Sequence, residues 1–310
     1  MSHHTFATGE QFRIERGNSY AVITELAGCL RIFVKDGVQL TESFNDGDIP
    51  PGASGILLAP WPNRVASGKW TLDGKVQKLD ITELTRGHAS HGLLGNTGYR
   101  LVDRSEDAVE LSAEIFPQHG YPFRLTHVVR YRIDEAGDLA VTQELVNHSA
   151  AAAPVALGAH PYLRLGDLEA ADLTLSVPGA TFLQADETLI PSGSAPVAGE
   201  TDLRGGAAVG PLRKLDRAYT DLATAGGRAE TTLASADGRS VTLWQDESFP
   251  YVQVFVTDTF PGRTLAVAVE PMTAPANALN SGEGLVWLEQ SGRFGGSWGI
   301  SGRLHPAVAG

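Results

Sequence analysis

Apolar residues alternate with polar ones along much of this chain, and turn-forming sequences interrupt the alternation at short intervals. This pattern constrains the fold more than any other feature. In Phe123-Arg124-Leu125-Thr126-His127-Val128-Val129-Arg130-Tyr131-Arg132-Ile133, the odd positions carry Phe, Leu, His, Val, Tyr and Ile, whereas the even ones are mostly Arg and Thr. Only an extended strand sends successive side chains to opposite faces, so this segment reads as a half-buried strand. Leu139 to Asn147 repeats the pattern, with Leu139, Val141 and Leu145 on one face. Comparable runs occupy 20–26, 30–34, 109–115, 173–177, 230–233, 241–244, 251–257 and 264–270. Turn signals separate them at Asn45-Asp46-Gly47-Asp48, Asp73-Gly74-Lys75, Glu135-Ala136-Gly137-Asp138, Asp237-Gly238 and Pro261-Gly262. Asp73-Gly74 and Asp237-Gly238 predict hairpins. With 35 Gly and 17 Pro spread throughout, no amphipathic helix longer than two or three turns is expected, only short helical pieces near 275–278. The fold class is therefore all-β: many antiparallel strands in a large sandwich or barrel-like sandwich. There is no Pro/Ser-rich linker, no shift in composition and no repeat of fixed period, so residues 1–310 read as a single domain. The segment 148–154 reads as a short loop. The turn-rich segment 179–210 is weakly patterned and reads as a long excursion over one face.

Charge and motifs narrow the function. The 310 residues carry a net charge of −12 with Lys and Arg scattered, which argues against nucleic acid and against an anionic membrane surface. A phosphorylated small molecule stays possible, because one local Arg cluster suffices to hold a phosphate. Cys29 is the only cysteine; it sits between apolar runs and reads as a small buried hydrophobe rather than a nucleophile. No apolar run approaches the ~20 residues that span a bilayer, and the first residues lack the apolar core of a signal peptide. The expectation is a soluble, cytoplasmic protein. His3 and His4 resemble a metal pair but read as part of a disordered terminus. Glycine-rich phosphate loops, a dinucleotide fold and a nucleophile elbow are all absent. His88-Ala89-Ser90-His91 has no third ligand nearby, so neither metal nor cofactor is expected.

Five polar positions stand in settings that suit chemistry, and each also has a plain structural reading. Glu270 closes Thr264-Leu265-Ala266-Val267-Ala268-Val269-Glu270. Alternation puts it on one face with Ala266 and Ala268, as on a cleft floor where small residues leave room for a ligand; a strand-end Glu paired with a surface Arg fits equally. His160, in Gly158-Ala159-His160-Pro161-Tyr162, is held extended by the proline that follows, yet a core histidine satisfied by a backbone carbonyl fits as well. Arg64 lies in the stiff aromatic segment Pro60-Trp61-Pro62-Asn63-Arg64, suited to hydroxyls or a carboxylate or, more plainly, to stacking on Trp61. His91 lies among glycines that permit close backbone approach, or is a loop residue without a role. Asp216, in Lys214-Leu215-Asp216-Arg217-Ala218-Tyr219, accepts hydroxyl protons or simply pairs with Arg217.

The ordered set carries more than its members. Pro60-Trp61-Pro62-Asn63-Arg64-Val65, Ser90-His91-Gly92-Leu93, Gly158-Ala159-His160-Pro161-Tyr162, Leu215-Asp216-Arg217-Ala218-Tyr219 and Val269-Glu270-Pro271-Met272-Thr273-Ala274-Pro275-Ala276-Asn277-Ala278 span most of the chain. In this order they resemble the aldose 1-epimerase (galactose mutarotase-like) family, in a divergent bacterial branch. The best-known galactose mutarotases commonly read Phe-Asn-Leu where this chain reads Leu163-Arg164-Leu165.

The resemblance implies an antiparallel supersandwich and a cofactor-independent, metal-free isomerase acting on a small-molecule sugar. It implies Glu270 as the general base on the C1 hydroxyl and His160 as the general acid on the ring oxygen. Arg64 and His91 would hydrogen-bond the sugar, and Asp216 would bind ring hydroxyls. Such chemistry needs only paired proton transfers, for which positioned side chains supply roughly 10²–10⁴-fold. The expected resting state is an ionised Glu270 beside a protonated His160. Two other functions fit the same scaffold. One is a non-catalytic carbohydrate-binding protein with Trp61, Trp244, Trp287 and Tyr162 as platforms. The other is a hexose-6-phosphate 1-epimerase, its phosphate held by Arg213, Lys214 and Arg217 or by Arg164.

Overall fold

A computed structural model describes residues 6–305; His3 and His4 lie outside them. The architecture is two large antiparallel sheets with smaller ones at the margins. The ten-stranded sheet runs in the order Arg100–Arg104, Ala108–Ile115, Leu125–Ile133, Leu139–Asn147, Arg293–Arg303, Ser240–Asp246, Arg228–Ala234, Thr174–Ser176 and Ala207–Ala208, with Thr224–Ala225 added onto Arg228–Ala234. The eight-stranded sheet runs Pro191–Pro196, Gly179–Ala185, Asp216–Leu222, Tyr251–Thr257, Ala266–Met272, Gly158–Ala159 and Leu57–Leu58, with Tyr162–Leu163 also paired to Ala266–Met272. A four-stranded sheet near the N-terminus starts with Gln11–Arg16 and Ser19–Thr24.

The alternation explains why the sheets meet. Leu125, His127, Val129, Tyr131 and Ile133 are all fully buried, whereas Arg130 and Arg132 are exposed. Val141, Leu145, Val241, Leu243, Trp298 and Ile300 from the ten-stranded sheet share one apolar cluster with Val252, Val254, Val256, Val267 and Val269 from the eight-stranded one. A polar link crosses this core. Oriented to suit its neighbours, the Gln143 amide accepts from Trp298 Nε1 at 2.9 Å and donates to His127 Nε2 at 3.2 Å and to Gly158 O at 3.3 Å. Tyr99 Oη lies 2.7 Å from His127 Nδ1. Burial drives His127 down to about 3, so its ring is neutral.

The hairpins fall at the expected turns: Lys69–Leu72 with Lys75–Lys78 around Asp73-Gly74, and Arg228–Ala234 with Ser240–Asp246 around Asp237-Gly238. Among the described residues the one α-helix is Ala278–Ser281, a single turn, and no helix is long and apolar enough to cross a membrane. Cys29 is buried with its Sγ 3.0 Å from Ser54 O, and burial raises its pKa far above the usual thiol value. The segment 179–210 departs from expectation. It is not an excursion over a face: Gly179–Ala185 and Pro191–Pro196 form a hairpin at the edge of the eight-stranded sheet. Polar and small residues conceal it, because an edge hairpin buries little and needs no apolar alternation.

Candidate active site

Strand register brings the first two site residues together. Gly158 pairs with Met272, and Tyr162 pairs with Ala268. Between these pairings His160 faces Glu270, with Nε2 3.3 Å from Oε1. The His160 backbone is fixed on both sides, its N–H donating to Ile56 O at 3.0 Å and its carbonyl accepting from Gly55 N at 2.8 Å. Glu270 lies on the face opposite Val267 and Val269, as alternation requires. The alanines do not open onto a ligand space, however. Tyr162 and Phe260 pack over Ala266 and Ala268, and of this strand only Glu270 reaches the cavity. The small residues make room for aromatic side chains.

A neighbouring strand adds a residue the sequence reading missed. Gln253 sits directly opposite Glu270 on Tyr251–Thr257, and its Nε2 makes a short hydrogen bond to Asp216 Oδ1. A buried Gln among Tyr251, Phe255 and Thr257 on one face was the available signal. Asp216 comes from the next strand, opposite Phe255. Its second oxygen lies 3.4 Å from Arg64 Nη2, so its partner is Arg64. Arg217 turns away to lie over Phe182.

Arg64 and His91 enter from loops tied to each other. Arg64 pairs with Ser90 and Val65 with Ala89. Asn63 and His91 both adopt left-handed backbone, with φ of 56° and 65°, and the His91 N–H donates to Asn63 O at 2.9 Å. Gly92 is required here: at φ 74° a Cβ would sit 2.0 Å from Ala59 O. From the other side, Asn277 donates its N–H to Arg64 O at 2.5 Å and accepts from Ala66 N at 3.0 Å. Arg64 does not stack on Trp61. It forms a two-pronged pair with Glu83, Nε to Oε2 at 2.7 Å and Nη2 to Oε1 at 3.2 Å. Nothing in the weakly patterned segment around Glu83 marked it beforehand.

Arg64, His91, His160, Asp216 and Glu270 thus line one cavity of about 780 Å³, together with Trp61, Asn63 and Glu83. The His91 and His160 rings meet edge to face with centroids 5.3 Å apart. Four buried polar atoms of the lining have no protein partner: Trp61 Nε1, His91 Nδ1, His160 Nδ1 and Glu270 Oε2. Buried polar atoms are otherwise almost always paired.

The electrostatics correct one expectation. Burial pushes Glu270 well above the usual carboxylate value; the charge of Asp216 adds to the rise and Arg64 opposes it. Burial also drives His160 down to about 4; its own backbone opposes the fall without meeting hydrogen-bond geometry to the ring, and Arg64 adds to it. His91 falls well below the usual imidazole value through burial, then through His160 and Arg64. Burial thus biases the pair toward a protonated carboxyl beside a neutral imidazole and away from the expected ion pair. Loss of hydration on burial disfavours the charged form of each group. Either way the pair holds one proton.

Other sequence candidates lie elsewhere. His88 is buried and spent: Nδ1 accepts from Ser67 N at 3.1 Å and Nε2 lies 3.1 Å from Thr188 O. Among the described residues no group of three or more His, Cys, Asp or Glu is arranged to hold a metal ion. Arg164 bonds to Gly166 O and reaches Glu42 and Asp167. Arg213 pairs with Asp258 at 2.8 Å. Arg164, Arg213, Lys214 and Arg217 all lie outside the cavity lining. Of the four aromatic platforms, only Trp61 lines the cavity. Trp244 is covered by Arg228, and Trp287 is half exposed at another position.

Comparison with known proteins agrees with this architecture. A family model described as aldose 1-epimerase matches residues 10–297. The Escherichia coli (strain K12) protein YihR, described as uncharacterized, is 30% identical over 284 residues, 91% of this chain and 90% of that one. Pig (Sus scrofa) galactose mutarotase is 35% identical over 164 residues, 48% of this chain and 45% of that one. Among solved structures, a putative aldose 1-epimerase from Escherichia coli K12 superposes with a TM-score of 0.81 at 17% identity, covering 95% of this chain and 99% of the other. A galactose mutarotase-like protein from Clostridium acetobutylicum gives 0.83 at 18% identity over 94% of each chain. With a family model matching residues 10–297 and a relative 30% identical over 91% of this chain and 90% of its own, the chain belongs to the aldose 1-epimerase family.

Proposed function

We propose that this protein is an aldose 1-epimerase that interconverts the α and β anomers of a free, uncharged aldose. The observation carrying the reading is the buried His160–Glu270 pair, with contact at 3.3 Å and an unpartnered polar atom on each residue. Family membership supports it. In the reaction, Glu270 as carboxylate takes the proton of the C1 hydroxyl while His160 gives a proton to the ring oxygen. The electrons of the C1–O5 bond go to O5 and a C1 carbonyl forms. Rotation about C1–C2 and closure from the other face reverse the transfers and give the other anomer. After opening, Glu270 is protonated and His160 neutral, which is the distribution that burial favours. Sugar hydroxyls donating to the carboxylate restore the ion pair at the start of the cycle. Arg64, His91 and Asp216 hold the sugar hydroxyls, with Gln253 fixing Asp216.

The charge of the cavity favours a neutral substrate. Its two arginines, Arg64 and Arg86, both pair with Glu83, and Asp80, Asp216 and Glu270 add further carboxyl groups to the lining. The test is NMR exchange spectroscopy on a panel of free aldoses. Acceleration over buffer for at least one sugar, lost by about 10²-fold or more in Glu270→Ala, is the expected result. No acceleration with any aldose sinks the reading; tight sugar binding without acceleration points to a carbohydrate-binding protein instead.

A further inference from the structure

The Arg64–Glu83 pair carries an inference that rests on the mutarotase reading and deepens it. Arg64 touches Glu83 through Nε and Nη2 and Asp216 through the same Nη2, while its Nη1 reaches Asn63 Oδ1 at 3.4 Å. Glu83 in turn accepts from Arg86 Nη1 at 2.9 Å. The backbone of Glu83 is equally engaged: its carbonyl accepts from Gly87 N at 2.8 Å and its N–H donates to His88 O at 3.0 Å. That turn is pinned by His88 to Ser67 and Thr188. Glu83 is thus a carboxylate on a braced turn, held against a guanidinium that lies among the reacting groups.

We propose that Glu83 is a positioning residue: it holds the Arg64 fork in one orientation toward the sugar and takes up part of its charge. Two parallel N–H···O contacts fix the plane of a guanidinium as one contact cannot. Without Glu83, Asp216 becomes the remaining carboxylate contact of Arg64. The guanidinium swings inward, and its full charge acts on Glu270 and His160. Both groups already feel Arg64, which lowers the pKa of each. The other charged or titratable groups around Arg64 in the lining are Asp80, Arg86, His91 and Asp216.

Glu83→Gln keeps the shape and removes the charge; Glu83→Asp keeps the charge and shortens the reach. In Glu83→Gln both limbs of the pH–rate profile shift to lower pH, because an added positive field disfavours protonation at each step. KM rises about tenfold from the misplaced sugar contact. In Glu83→Asp the limbs stay in place. Melting curves check that both variants fold. A purely structural role for Glu83 lowers the melting temperature and leaves the limbs unmoved, which overturns the proposal.

A second readout does not depend on turnover. NMR titration of the His160 ring in ring-labelled protein, assigned with His160→Gln, gives a lower midpoint in Glu83→Gln than in the unsubstituted protein. An unchanged or higher midpoint overturns the proposal. If the unsubstituted protein accelerates no anomer exchange, the mutarotase reading falls and this titration still decides whether Glu83 shares the charge of Arg64.

Discussion

Glu270 occupies a position that weakens the fold it sits in. Its folded-state pKa is raised above the ordinary 4.5, so the folded protein binds this proton more tightly than the unfolded chain. Stability therefore falls as pH rises from the ordinary value through the raised one. His160 works in the opposite direction. Its folded value is about 4 against an ordinary 6.5, so its share of stability is lost as pH falls through that window. Glu270→Gln keeps the shape and removes the first liability. The variant is expected to be more stable than the unsubstituted protein at about pH 7.5, with the gap closing toward about pH 4.5. Denaturant unfolding at the two pH values measures this; a variant less stable at the higher pH contradicts the assigned direction. At this scale the sequence was informative where chemistry is concentrated in short motifs, and all five proposed residues line one cavity. It did not disclose the directions in which burial shifts the two groups, because desolvation depends on what surrounds a side chain in three dimensions. Glu83 was hidden for the same reason: its importance lies in a contact with a residue 19 positions away in sequence.

The elements around the site divide into sheet and wall. His160, Asp216, Gln253 and Glu270 project from strands or strand ends held in one antiparallel ladder. Arg64, Glu83 and His91 stand on loops braced by short pairings and left-handed residues. The wall depends on Gly92, where the Ala59 carbonyl passes so close that Leu93 N donates to it at 2.8 Å. Gly92→Ala forces a backbone shift and a strained φ. We expect a loss of about 2–4 kcal/mol in stability, seen as a lower denaturant midpoint. A midpoint unchanged within error shows that the loop yields freely. Strands with at least one continuously buried face were legible from sequence: 251–257 and 139–147 match to the residue. Strands that bury one face weakly or not at all were not. Arg100–Arg104 is exposed along its whole length, and Arg293–Arg303 is rich in Gly and Ser, so neither presents an apolar period to read.

Over the whole molecule, two sheets enclose one large apolar cluster, and the cavity opens where the eight-stranded sheet meets the loop wall. The net charge is −12, and both arginines of the cavity are already paired with Glu83. This field opposes an anionic substrate. For any hexose turned over, kcat/KM is expected to exceed that for its 6-phosphate by at least about tenfold, with the ratio narrowing as salt screens the field. Equal or better turnover of the phosphorylated sugar rules out the neutral-substrate assignment.

Alternation and turn chemistry determined by themselves that this chain is built from antiparallel strands, because side-chain period and burial are local consequences of backbone geometry. The ordered motifs likewise determined the family and the residues to inspect. Tertiary structure alone decided the rest. Strand register set Glu270 opposite His160; a carboxylate from a distant turn engaged Arg64; aromatic side chains closed over the alanine face. Burial then set the direction in which the pKa of each member of the pair moves. These outcomes depend on distances between residues far apart in sequence and on the exclusion of water, and neither quantity exists until the sheets have closed on each other.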